Sequence, residues 1–459
     1  MKLFRSLTLL LFLMLTTQCF SNVSLPSIFS DNMVLQRNAD VKIWGWAKPG
    51  EEIKIKVSWD EKELTTKPLK TSYWEIILST PDIRGAQEIT ISGYNEVKLK
   101  NVLLGEVWLV SGQSNMEWSA NSGIDNAEEE IANARNNQIR FYTVANKTAE
   151  CPQQDLDGNW EASTPQTMKY FSAIAYFFGR KMNEELNVPI GLINSTWGGT
   201  PAEVWMPEEI IKNNETLSKA AKLIPDVEWG PRKPASIYNA MIAPIIPFKI
   251  KGILWYQGES NTDNADYYET IFSSLINSWR EKWNEDLPFY YAQIAPYDYG
   301  EGFSGVKVRD AQRRVLKLPN TGMVMTSDIG NIKNIHPSNK IDVGLRFANL
   351  ALTESYGKKL HPYAPLFERA EADGKNLKIY FKYNERLYLD KQNTNSQFEI
   401  AGTDRKFYPA KVSIKNDVVV LRSSKVKKPM YVRYSWGNTS TSNIFNHVGL
   451  PASSFTTEY

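Results

Sequence analysis

The stretch Gly105-Glu106-Val107-Trp108-Leu109-Val110-Ser111-Gly112-Gln113-Ser114-Asn115-Met116-Glu117 passes from an apolar run to a polar cluster. Val107 to Val110 have no polar interruption, the pattern of a strand buried on both faces. Gly112 closes the run. Gln113, Ser114 and Asn115 then stand where a tight turn exposes a hydroxyl. Taken alone, the segment fits an ordinary Ser/Asn turn leaving a strand as well as it fits a nucleophile.

Similar runs recur downstream at 190–193, 253–256, 289–294 and 323–326. Helical periodicity separates them over 173–186, 265–283, 307–318 and 339–356. Strand–helix alternation of this kind predicts a parallel sheet covered by helices on both faces, with ligands at the carboxyl ends of the strands. On either side the period falls to two. Ile53, Ile55 and Val57 alternate with Lys54 and Lys56, and Pro49-Gly50 and Arg84-Gly85 mark turns. After Pro365 the alternation returns at Leu377, Ile379 and Phe381, then over 418–421 and 431–436. The expectation is an N-terminal β domain over 22–100, an α/β domain over 101–360 and a C-terminal β-rich region over 361–459. A chain of 459 residues has room for two or three such units.

Bulk composition narrows the partners. A formal net charge of +2 gives no case for nucleic acid or anionic membrane as a partner. The 14 Trp and 22 Tyr suit stacking on sugar faces but serve large cores equally well. Lys2 and Arg5 precede the apolar run from Leu7 to Leu15, and small residues follow up to Ser21. Residues 1–21 therefore read as a signal peptide, which predicts export to the periplasm or beyond. Cys19 raises a lipoprotein anchor, which Gln18 before it fits poorly. No later stretch is long and apolar enough to span a bilayer. With Cys19 gone Cys151 stands alone, so no internal disulfide is expected.

Three further clusters follow apolar runs. Asn194-Ser195-Thr196-Trp197-Gly198-Gly199-Thr200 brings two glycines, which let backbone amides approach a ligand. Gln257-Gly258-Glu259-Ser260-Asn261 places amide side chains just past a strand, and turn or cap chemistry accounts for it equally. Asp328-Ile329-Gly330-Asn331-Ile332-Lys333-Asn334-Ile335-His336-Pro337 carries one of only three histidines, the others being His361 and His447. Pro337 keeps His336 out of a helix and on a loop.

In this order the four clusters resemble the blocks of the SGNH/GDSL hydrolases, and in particular the bacterial sialate O-acetylesterase family. Pro26 to Arg37 and Gly449 to Phe455 resemble that family's ends, so the likeness covers nearly the whole chain beyond the leader. It implies a three-layer α/β/α (flavodoxin-like) SGNH domain in the centre and hydrolysis of an acetyl ester on a sugar. It further implies Ser114 as nucleophile and His336 as base. The oxyanion hole would be the amides of Ser114 and Gly199 with the side chain of Asn261. Neither metal nor cofactor enters this chemistry. An Asp three residues before the histidine is common in such enzymes, but Lys333 stands there. A main-chain carbonyl is the first choice for orienting His336, then Asn334, then Asp328.

Gln113, Gln257 and Glu259 are candidate substrate contacts, and Trp118 and Trp197 candidate sugar platforms. Arg313 and Arg314 read better as a helix face than as a carboxylate clamp. Sialic acid is the substrate the resemblance implies. An acetylated xylan is the alternative, and a carbohydrate-binding protein with a decayed hydrolase domain is the competing class.

Overall fold

Alternation builds the first strands: in β3 (Ile53–Val57), Ile53 and Ile55 are buried while Lys54 and Lys56 face water. A computed structural model describes residues 22–68, 70–390 and 396–458; the expected leader, with Cys19, lies outside them. Before β3 come β1 (Val34–Gln36) and β2 (Ala39–Trp46), and after it β4 (Asp60–Thr66), β5 (Tyr73–Thr80) and β6 (Gln87–Ser92). β2 pairs with β5, and β3 with β4 and β6, all antiparallel.

β7 (Glu96–Gly112) joins this region to the next. Its first part pairs antiparallel with β6, its middle takes β1 in parallel, and its last residues enter the central sheet. The boundary expected near residue 100 thus falls inside one continuous strand. A single hydrophobic core, running from Val23 to Ala364, serves both regions.

The central sheet adds β8 (Asn136–Thr143), β9 (Trp160–Ser163), β10 (Ile190–Thr196), β11 (Gly252–Tyr256), β12 (Phe289–Ala292) and β13 (Thr321–Val324). The order is β13-β12-β11-β7-β10-β8-β9, parallel except for β9. β10, β11 and β12 are buried at every position, as two-sided burial requires.

Following β7, the chain forms α1 (Ser114–Glu117), then α2 (Ala173–Leu186), α3 (Tyr268–Trp283), α4 (Ser304–Val315) and α5 (Ile341–Glu354). Phe289 and Tyr291 of β12 meet Phe272 of α3. Tyr290 between them stacks on Trp108 and bonds to Ser355 at the end of α5, while Trp108 meets Phe178 of α2. The two faces of the sheet therefore pack on different helices. Among the described residues no helix is long and apolar enough to cross a membrane. Cys151 is free and exposed.

The C-terminal region has its own core, including Leu377, Phe398, Tyr434 and Phe455. Two four-stranded antiparallel sheets enclose it. It docks on the α/β unit through buried Arg309 of α4, whose guanidinium donates to the carbonyls of Gly437 and Asn438. Gln293, bonded to Ser453 at 2.8 Å, adds a second tie.

Candidate active site

Because β7, β10, β11, β12 and β13 run parallel, the loops after them gather at one edge. Gly112 ends β7 with φ +130°, and a Cβ there would lie 2.2 Å from the Tyr256 carbonyl oxygen, so only glycine lets β7 and β11 approach this closely. Ser114 then opens α1, which leaves its N–H without a partner inside the helix. His336, on the loop after β13, places Nε2 2.8 Å from Ser114 Oγ across 222 residues of sequence. Burial, and secondarily the charge of Lys340, hold the imidazole below its ordinary pKa. The ring is therefore neutral near pH 7 and able to accept a proton.

The glycine pair after β10 stands beside Ser114. Gly198 donates its N–H to Glu117 Oε2 at 2.7 Å, a carboxylate whose pKa burial raises. Gly199, at φ +67°, presents the amide left over, and a Cβ there would strike the Trp229 ring at 1.7 Å.

Beneath the Ser114–His336 pair lies a buried polar unit. Asn115 donates Nδ2 to Glu259 Oε1 at 2.7 Å and to the Ile335 carbonyl at 2.9 Å, and accepts from Lys340 Nζ at 2.6 Å. One amide thus ties the helix that Ser114 opens to the residue preceding His336. Burial pushes Lys340 down to about 7 and Glu259 up, each toward its uncharged form. Asn115 accepts from the amine and donates to the carboxyl, so it serves the pair in either charge state. Neither Asn115 nor Lys340 was singled out from the sequence. Their signal was adjacency to Ser114 and to His336.

Several expected roles need correction. Asn261 is fully buried, and its Nδ2 donates to Glu203 and Asn264 while its Oδ1 accepts from Ala202 N–H and Gln257. The buried Glu203 carboxylate draws this amide inward, away from any oxyanion. Gln257 is likewise buried, bonded to the Thr200 carbonyl, Asn261 and Tyr268. Neither residue lines the cavity at Ser114, whereas Gln113 and Glu259 do. Gln113 accepts from Gly258 and Ser260 N–H through Oε1, which leaves Nε2 as its donor.

Trp118 stacks on the His336 ring at 4.3 Å, so that face packs the imidazole rather than a sugar. Trp197 is half-buried against the core and off the cavity. Asn334 Oδ1 accepts from the main-chain N–H of His336 at 3.0 Å and so shapes the loop rather than holding the ring. Asp328 is engaged bidentately by Arg346, as such carboxylate–guanidinium geometry favours. Arg313 and Arg314 pair with Asp310 and Glu269.

The cavity holds about 520 Å³. Its far wall is Ile224, Pro225, Val227 and Trp229, with Arg232 and Asp263 at its polar end. Sequence reasoning missed this wall. Trp229 is 64% exposed, and the Arg232 guanidinium stacks over it at 4.9 Å while donating to the Gly199 carbonyl. Arg232 Nε has no bond among the described residues. A larger groove of about 680 Å³, lined by Arg37, Glu106, Lys251 and Tyr356, sits at the amino ends of the strands. It contains neither Ser114 nor His336, and ligands of parallel sheets bind at the other edge.

Likeness to known proteins defines the class, a carbohydrate esterase. The family profile described as "Carbohydrate esterase, sialic acid-specific acetylesterase" matches residues 104–353. The chain belongs to that family. It is 30% identical over 416 residues to the sialate O-acetylesterase of Homo sapiens, covering 82% of this chain and 79% of that one. With the sialate O-acetylesterase of Mus musculus it shares 29% over 485 residues, 89% of this chain and 88% of the other. The crystal structure of a carbohydrate acetylesterase from Xanthomonas citri matches with a TM-score of 0.87 at 34% identity, over 95% of this chain and 99% of that one.

Proposed function

We propose that the chain hydrolyses O-acetyl esters of a carbohydrate through an acetyl–Ser114 intermediate. The observation that carries this reading is the 2.8 Å contact between Ser114 Oγ and His336 Nε2, beside the Ser114 and Gly199 amides, which donate to no acceptor among the described residues. As Oγ bonds to the acetyl carbonyl carbon, His336 Nε2 takes its proton, and charge develops on the carbonyl oxygen. The N–H groups of Ser114 and Gly199 receive that charge, and Gln113 Nε2 takes the place first given to Asn261. Collapse breaks the bond to the sugar oxygen, which leaves with the proton from His336. Water, deprotonated by the same nitrogen, then attacks the acetyl group, releases acetate and restores Ser114.

The stack on Trp118 and the Asn115 clamp on Ile335 hold the ring without an Asp, so the catalytic unit is a Ser–His pair. The central unit is read as an SGNH three-layer domain, supported by helices packing differently on the two faces of β12. Residues 1–21 direct export to the periplasm or beyond, which cell fractionation with and without them tests.

For the substrate, the reading is an O-acetylated sialic acid. The relatives' names favour it, and Arg232 beside Trp229 offers a cation for the sugar carboxylate next to a stacking face. The deciding experiment measures acetate release from O-acetylated sialic acids and from acetylxylan, with Ser114→Ala as control. Release by the parent and none by Ser114→Ala supports the esterase. Turnover of acetylxylan alone replaces the sialate reading, and no turnover by folded parent protein favours a carbohydrate-binding role. Ser114→Ala is expected to lose on the order of 10⁴–10⁶ in kcat.

A further inference from the structure

Two of the chain's three histidines stand together outside the cavity that holds the third. His361 lies on the connector after α5. Glu385 sits in the turn after the strand Asn376–Lys382, and His447 in the turn after Ile444–Phe445. One ligand atom from each falls within 4.8 Å of the others. The imidazoles meet edge to face at 5.3 Å between centroids, and His447 Nε2 is 3.7 Å from Glu385 Oε2.

The backbone beneath these side chains is tied down. His447 donates its N–H to the Glu385 carbonyl at 3.0 Å, and Asn446 Nδ2 donates to the Tyr363 carbonyl at 2.8 Å. Tyr363 in turn stacks on Tyr383 at 4.3 Å. All three segments are thus held in place by contacts independent of the cluster. An exposed Glu385–His447 pair would account for one histidine. A second, brought from another segment, adds nothing to such a pair and repels its neighbour when both are protonated. Two neutral imidazoles with one carboxylate are, however, a zinc donor set. Tetrahedral zinc, with bonds of about 2.0–2.2 Å, needs donors roughly 3.5 Å apart, which exposed side chains reach by small χ rotations.

We propose that His361, Glu385 and His447 bind one zinc ion, with water in the fourth position, as a clip between the connector and the C-terminal β region. That region has a core of its own, and the connector is the stretch that a clip would anchor. The ion would take no part in ester hydrolysis.

The test is calorimetric titration of the metal-stripped full chain with ZnCl₂, paired with thermal unfolding. The parent should bind one equivalent and gain several degrees in Tm, since a ligand specific to the folded state stabilises it. His361→Ala/His447→Ala should lose both effects while keeping the parent's circular dichroism, and Glu385→Gln should weaken binding without loss of volume. His336→Ala should bind as the parent does, which separates this site from the cavity. Failure of the parent to bind, or equal binding by the double variant or by Glu385→Gln, overturns the proposal.

Discussion

The two walls of the cavity are built differently. Ser114, Gly199 and His336 leave strand ends and rest on buried amides, with Asn115, Glu259 and Lys340 almost wholly shielded from water. Opposite them, Ile224 to Trp229 belong to a loop between the helix Glu215–Ala221 and the turn Tyr238–Ile242, and Trp229 is largely exposed. The first wall is held by many interlocking bonds, so its atoms keep the separations that proton transfer needs. The second is more exposed and meets the first where Trp229 and Arg232 touch Gly199, so the apolar stretch from Ile224 to Val227 is the part free to change with the sugar. Under the proposed function, reaction and specificity are divided between a rigid and a more tolerant surface.

Beyond Ser114 and His336 themselves, the largest effect expected within the rigid wall is from Asn115→Ala. It frees the carbonyl of Ile335 and strands the Lys340 amine and the Glu259 carboxyl in the interior. A drop of about 100-fold in kcat and about 3 kcal/mol in stability is expected. Steady-state kinetics with denaturant unfolding checks both, and unchanged kcat would break the division of labour proposed here.

Trp229→Ala should act on the tolerant wall, raising KM about 5- to 10-fold with kcat nearly constant, the mark of lost uniform binding. Arg232→Met should do the same for a sialate ester only, and a fall in kcat for an uncharged acetyl ester would contradict it. Asn334→Ala is expected to cost only about 3-fold in kcat, because its oxygen caps a main-chain N–H and leaves the ring in place. A loss as deep as that of His336→Ala would make Asn334 the ring's anchor.

The smallest effect concerns pH. In the proposed mechanism His336 acts as base only when neutral, and its pKa is held below the usual value, so activity is expected to fall as pH drops through that lowered pKa. Between pH 7 and pH 6.5 the loss in kcat/KM should stay below about twofold. The acid limb should be the same in Trp229→Ala, since that residue belongs to the other wall. A limb centred above pH 7 would be inconsistent with the burial of His336.

Much of the frame was legible because it rests on local pattern. The runs ending at Val110, Ile193 and Tyr256 are apolar without interruption, which two-sided burial demands. Gly112, Gly199 and Pro337 mark conformations few other residues adopt. β8 was not anticipated, for Asn136-Asn137-Gln138 begin it with three polar residues and the apolar part is short. The boundary expected near residue 100 falls inside β7, where the period changes while the strand itself continues.

By itself, the sequence determined that four apolar runs lead into polar clusters, since that follows from order along the chain, and the clusters' resemblance to a known family made Ser114 and His336 the nucleophile and base candidates. Tertiary structure decided which amide faces the cavity and which turns inward. Asn261 is claimed by Glu203, 58 residues away, because a buried carboxylate must find donors wherever the fold brings them. The same holds for Trp229 and Arg232. Their loop is unremarkable in pattern and acquires its role only because folding lays it across the glycines beside Ser114.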